Sequence, residues 1–176
     1  MEKKTIWDLN RVTVEEYKLS VEKYPFVVVL DNIRSLNNVG SVFRTSDAFL
    51  VSKLMLCGIT ATPPNNEIHK TALGAEDSVE WQYFESTIEC VKTLKSQGYK
   101  ICCLEQVKNS VALQDFEVEK DERYAIILGN EVNGVDQEVV DICDVCIEIP
   151  QCGTKHSLNV SVSGGIAIWH FFKAVL

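Results

Sequence analysis

FVVVLDNIRSLNNVGSVFRTSDAF, residues 26–49, passes from an unbroken apolar run through a polar stretch into a helical pattern. FVVVL has strand length and no alternation, the pattern of a strand covered on both faces. Val39, Val42, Phe43, Phe49 and Leu50 then recur at helical spacing. Asn37 or Asn38 is expected to cap that helix, because a short carboxamide satisfies the free N–H groups of a first turn. A doubly covered strand leading straight into a helix is the start of a parallel crossover unit.

The rest of the chain repeats the theme. LMLCGI, YKICCLE, YAIILG and DVCIEIP read as further strands, and VEWQYF alternates as a strand does. Thr13-x-x-Glu16 and Ser86-x-x-Glu89 read as capping boxes, opening helices that stop before Pro25 and at Gly98. A short helix is expected over Asp136 to Cys143, and an apolar one from about Leu158 to Ala174. Between the second and third strands, ATPPNNEIHKTALGAEDS reads as a long loop with one short helix. The expectation is an α/β fold: a mainly parallel sheet with helices on both faces.

A chain of 176 residues suits one domain, and its 46% apolar and 24% charged content is ordinary for a globular protein. No stretch approaches the roughly 20 apolar residues of a membrane span. The N-terminal MEKKTIWDLNRVTVEEY has no apolar targeting core, so a cytoplasmic location and no membrane partner are expected. Seven cysteines, an odd number, argue against a disulfide framework. Cys143-x-x-Cys146 has the spacing of a metal knuckle, but no second pair completes four ligands, and no metal is expected. The net charge of −8 opposes nucleic-acid binding at first sight. Only the local potential at a contact surface decides that, and Arg34, Arg44, Lys53, His69, Lys70, Lys155 and His156 are available for a patch.

Open parallel sheets bind ligands beyond the carboxyl ends of their strands. Three polar segments fall there: DNIRSLNNVG, GNEVNGV and PQCGTKHSLN. Each alone is ordinary turn chemistry; together, after three apolar strands, they point to a site. No dinucleotide fingerprint, P-loop or nucleophile elbow is present, and no carboxylate pair of the glycosidase kind is evident. Cys152 lies in the third segment, with nothing but its loop position to suggest a nucleophile. The last helix carries Gly164 and Gly165, each costing roughly 1 kcal/mol against Ala, so close approach to another backbone or a ligand is expected there.

The three segments together resemble the SpoU-TrmH family of RNA ribose methyltransferases. Asn38-Val-Gly-Ser-Val-Phe-Arg44-Thr-Ser-Asp-Ala-Phe is similar to its first motif, and Leu128-Gly129-Asn130-Glu131-Val-Asn-Gly134 to its second. Ile149-Pro150-Gln-Cys-Gly153-Thr-Lys-His-Ser157-Leu-Asn159-Val-Ser-Val162 is similar to its third, except that Gln151 stands where Met is common. The resemblance implies a methyltransferase domain over residues 25–176 after an N-terminal helical extension over 1–24. It also implies a C-terminal trefoil knot, a homodimer, and S-adenosylmethionine as methyl donor to a ribose 2′-hydroxyl of RNA. Small members of the family act on the wobble ribose of tRNA, which makes tRNA the expected partner.

Carried onto this sequence, the resemblance makes Asn38, Arg44, Glu131, Ser157 and Asn159 the catalytic set. It gives Leu128, Gly129, Asn130, Ile149, Gln151, Ser157 and Leu158 to the cofactor, and Arg34, Arg44, Lys70 and Lys155 to RNA. Plainer roles stand beside these. Arg44 could pair with Asp47, Asn38 could cap its helix, and Ser157 could cap the last one. A guanidinium suits a bidentate phosphate clamp better than a base. Two rival functions remain at this point: methylation of an RNA base on the same fold, and a non-catalytic RNA- or protein-binding module.

Overall fold

The computed structural model describes residues 1–5 and 7–176. Among the described residues seven parallel strands form one sheet: β1 (Tyr24–Asp31), β2 (Val51–Cys57), β3 (Trp81–Phe84), β4 (Lys100–Leu104), β5 (Val111–Ala112), β6 (Tyr124–Leu128) and β7 (Val145–Glu148). The helices are α1 (Val14–Ser20), α2 (Leu36–Ala48), α3 (Asn66–Ala72), α4 (Ala75–Ser78), α5 (Thr87–Ser96), α6 (Gln137–Val140) and α7 (Val160–Val175). The strand order is β3-β2-β1-β6-β4-β7-β5.

The apolar runs are buried on both sides, as their lack of alternation requires. Phe26, Val28, Leu30, Ile126 and Leu128 face a core built with Val39, Val42 and Phe43 of α2, Ile68 of α3 and Ile168 and Phe171 of α7. Val27, Val29, Ala125 and Ile127 face the other way, against Cys90, Val91 and Leu94 of α5 and Val139 of α6. The chain turns back on itself late: β6 inserts between β1 and β4, with Val28 beside Ile126 and Cys102 beside Ile126 on the far side. The carboxyl ends of β1, β6, β4 and β7 therefore converge, although their sequence positions are far apart. This order is compatible with the threaded C-terminal segment that the resemblance implies.

Several local expectations change. The N-cap of α2 is Ser35, whose Oγ accepts the Asn38 N–H at 3.3 Å; Asn37 and Asn38 both lie inside the helix. Asn159, not Ser157, caps α7, accepting the N–H groups of Ser161 and Val162. Thr13 and Glu16 do form a capping box, but Ser86 stands at the start of α5 without a side-chain cap. The segment expected as a loop with one helix holds two, α3 and α4. Gly164 does have a close approach, though to a side chain rather than to a backbone: a Cβ there would lie 2.6 Å from Leu128 Cδ1, so α7 presses onto the end of β6. Gly165 has none, with only Thr45 Cγ2 at 3.9 Å. His170 of α7 is buried, and its Nε2 donates to the Phe116 carbonyl at 2.8 Å.

Candidate active site

A cavity of about 580 Å³ opens at the carboxyl ends of β4, β6 and β7. That volume is typical of a small-molecule site. Three segments wall it: Leu104 to Gln106 after β4, Leu128 to Gly134 after β6, and Ile147 to Ile149 with Gln151 and His156 to Val160 after β7. Every residue expected at the cofactor lines it, as do Glu131, Ser157 and Asn159.

The loop after β6 is held by its own asparagine. Asn130 Oδ1 accepts the N–H groups of Val132 (2.9 Å) and Asn133 (3.1 Å), while Asn130 Nδ2 donates to the Asn32 carbonyl (2.6 Å). Backbone bonds between Asn130 and Gly134 close the turn in both directions. Gly134 has φ +70°, and a Cβ there would strike the Glu105 carboxylate, so glycine is required twice over. Glu105 Oε2 accepts the Val135 N–H at 3.0 Å. From below, buried Asp31 accepts the Asp136 N–H at 3.2 Å and the Thr87 hydroxyl at 2.5 Å. Burial pushes the Asp31 carboxyl up, and these donors only partly oppose it.

Glu131 ties this loop to α2. Its carboxylate accepts the Arg34 and Ser35 N–H groups, each at 2.9 Å, and the Asn38 side-chain amide at 3.0 Å. Desolvation alone would raise its pKa; the Arg34 N–H, Asn38 amide and Ser35 N–H outweigh that and hold it below the ordinary range. A carboxylate can only accept, so Asn38 must donate with Nδ2 and accept with Oδ1. That oxygen takes the Asn159 Nδ2–H at 3.1 Å, and Asn159 Oδ1 in turn takes the N–H groups opening α7. All three polar segments are thus joined in one directed chain, Asn159 to Asn38 to Glu131.

The expected RNA residues stand outside the cavity, Arg34 and Lys155 at its border. Arg34, Arg44, Lys70 and Lys155 are exposed and none lines the cavity. Lys70 pairs with Glu67 at 2.6 Å. Arg44 has no ion-pair partner among the described residues, and Asp47 instead accepts the Ser78 hydroxyl at 2.6 Å. Six helical residues turn the chain by about 240°, so Arg44 points well away from Asn38. Among the described residues no three His, Cys, Asp or Glu side chains are placed to hold a metal ion.

Sequence reasoning missed Asp31, Glu105 and Gln106. Glu105 and Gln106 directly follow the YKICCL run, so the carboxyl-end rule applied to that strand would have found them. Gln106 Nε2 donates to the His156 carbonyl at 2.9 Å, tying the β4 end to the third segment.

The SpoU rRNA Methylase family model matches residues 25–169. This chain belongs to the SpoU rRNA Methylase family. Among its relatives is the 23S rRNA (guanosine-2′-O-)-methyltransferase of Neisseria meningitidis, 27% identical over 90% of this chain and 62% of that protein. The AdoMet-bound rRNA methyltransferase of Sinorhizobium meliloti shares the fold, with a TM-score of 0.81, 24% identity, and coverage of 88% of this chain and 58% of that one. So does a structure solved for insight into the 2-OH methylation of C/U34 on tRNA: TM-score 0.75, 21% identity, 85% of this chain and 95% of that one. The chain spans about three fifths of the length of the curated relatives it matches. The SpoU fold thereby accounts for the convergence of the Asn38, Glu131 and Asn159 segments on one cavity.

Proposed function

We propose that this SpoU-family chain methylates a ribose 2′-hydroxyl of RNA, with S-adenosylmethionine as donor and the anticodon loop of tRNA as target. The observation that carries the reading is the Asn159–Asn38–Glu131 chain beside the cavity. The cavity walls suit the donor: Leu104, Leu128, Ile147 and Leu158 offer apolar surface to a purine, and the loop from Gly129 to Gly134 adds a polar wall already fixed by its own hydrogen bonds. When bound, the donor supplies an electrophilic methyl group on a sulfonium. The protein's part is placement and electrostatics. Glu131 keeps its charge and is fully engaged by donors, so its role is to fix Asn38 and the start of α2 rather than to accept the 2′-proton. Ser157 and Leu158 would fix the donor's position from the third segment, with Ile149 and Gln151 at its side.

Arg44 reaches a different surface. Val162, Ile166 and Trp169 leave an apolar stripe on α7, which packs on α2 beside Arg44 through Gly165 and Thr45. Pairing two copies over that stripe would present Arg44 of one to the cavity of the other, as a clamp on RNA phosphate. A homodimer, with Arg34, Lys70 and Lys155 on flanking phosphates, is therefore part of the proposal. So is a cytoplasmic location; among the described residues no helix is long and apolar enough to cross a membrane. An unpaired loop nucleotide is accessible to such a site without melting a helix.

The test incubates the protein and labelled methyl donor with total tRNA and with ribosomal RNA, followed by nucleoside analysis. A 2′-O-methyl mark in the anticodon loop is expected. A mark confined to ribosomal RNA would reject the tRNA assignment, and no S-adenosylhomocysteine binding at millimolar concentration would reject the enzyme reading.

A further inference from the structure

A second depression, of about 420 Å³, runs from the amino ends of β1, β2 and β3 along the sheet face that α5 covers. Lys18, Lys23, Lys53 and Arg123 line it, against a single carboxylate, Glu80, already paired with Lys53 at 3.3 Å. In a chain of net charge −8 this is a local reversal of sign. Lys18 and Lys23 have no carboxylate within ion-pair distance among the described residues, and Lys23 sits over the Tyr17 ring, 3.9 Å from its centroid. Partial burial pulls the Lys23 ammonium below the ordinary lysine range, offset only in part by Glu80 and Asp47.

The walls are suited to more than charge. Val21, Phe84 and Tyr99 are half-buried apolar surface. Arg123 lies over the Tyr99 ring at 4.2 Å and donates to the Tyr99 hydroxyl and the Gln97 carbonyl, both at 2.9 Å, which counters the negative end of α5. The side-chain amides of Gln82 and Gln97 have no protein partner among the described residues, and each offers a donor and an acceptor. Cations, apolar ring surface and free carboxamides are the three requirements of an unpaired nucleotide: phosphate, base face and base edge.

We infer that this groove binds an unpaired nucleotide of the RNA substrate, as an anchor apart from the cavity, with which it shares no lining residue. The inference rests on the RNA methyltransferase reading, but it is tested by binding alone. Amide NMR spectra of the whole protein are followed while adding the uridine tetranucleotide, uridine 5′-monophosphate, inorganic tripolyphosphate or S-adenosylhomocysteine. The tetranucleotide should shift Lys18, Lys23, Lys53, Gln82, Tyr99 and Arg123, and bind at least tenfold more tightly than the monophosphate or tripolyphosphate. Its affinity should fall with salt with a slope of about −0.7 per phosphate contacted. Lys18→Glu with Lys23→Glu should cut affinity at least tenfold; Lys18→Gln with Lys23→Gln, which adds no repulsion, should cut it severalfold and flatten the salt slope. Equal affinity for the monophosphate would make this a free-nucleotide site, and equal affinity for tripolyphosphate would make it a charge patch. Either result, or no shift at millimolar tetranucleotide, overturns the inference. S-adenosylhomocysteine shifts at Leu128 to Glu131 in the same samples report on the proposed function separately.

Discussion

Asn38 and Arg44 share one helix and have opposite surroundings. Asn38 is 9% exposed and both ends of its amide are used, one by Glu131 and one by Asn159. Arg44, about one and two-thirds turns on, is exposed, and no carboxylate pairs with it among the described residues. The first is finished by the chain's own contacts; the second is available for something outside the chain. A site assembled this way divides its labour: the buried turn fixes geometry before any ligand arrives, and the exposed turn leaves a free cation which, on the proposed function, meets RNA.

The sharpest way to break that contrast is Arg44→Ala. Methylation should fall about 1000-fold, within the range expected when the clamp that orients the reacting ribose is lost, while S-adenosylhomocysteine affinity by calorimetry and thermal stability stay put. Equal loss of affinity would move Arg44 to the cofactor side. Glu131→Gln comes next. One acceptor becomes a donor facing the Arg34 and Ser35 N–H groups or the Asn38 amide, so the chain loses its direction. About 100-fold in turnover is expected, the cost of a small misplacement, with stability lower by about 1 kcal/mol because water reaches this exposed carboxylate and dilutes its hydrogen bonds. The pH dependence has a definite sign. Glu131 titrates below its ordinary value of 4.5, so its contribution to stability is complete above that value and is lost as the pH falls through the lowered one. In acid melts the wild type should therefore converge on Glu131→Gln. The smallest effects separate the adjacent glycines of α7. Gly165→Ala should gain up to about 1 kcal/mol of stability from helix propensity. Gly164→Ala should lose stability and weaken S-adenosylhomocysteine binding, because the new methyl group displaces Leu128 from the cavity wall.

Much of this was legible in the sequence. The unbroken apolar runs at Phe26, Leu54, Ile101 and Tyr124 became the central strands because residues covered on both faces cannot alternate. The three polar segments met at one end because parallel strands all deliver their exits there. What failed was local and competitive. SLNN offers three capping side chains within four residues, and propensity ranks Ser and Asn alike. Ser35 won the cap because Asn38 is drawn to Glu131, 93 residues away, and no local pattern carries that pairing. The same competition misplaced the cap of α7: Asn159 satisfies the helix with its oxygen and Asn38 with its nitrogen, which a Ser157 hydroxyl outside the helix does not replace. Asp31 was hidden in plain view, read as turn chemistry although its carboxylate is fully buried under the second segment.

The bond from Asn159 to Asn38 spans 121 residues, and β1 completes its pairing only when β6 arrives beside it. Such distant pairings are slow to form, because the intervening chain must be closed before any contact rewards it. During synthesis the first motif therefore emerges long before its partners, and an N-terminal fragment ending before β6 holds neither the cavity's second wall nor its third. Competence arrives late and all at once: until β6, β7 and α7 have all emerged there is no site to occupy, and α7 is the helix that closes it.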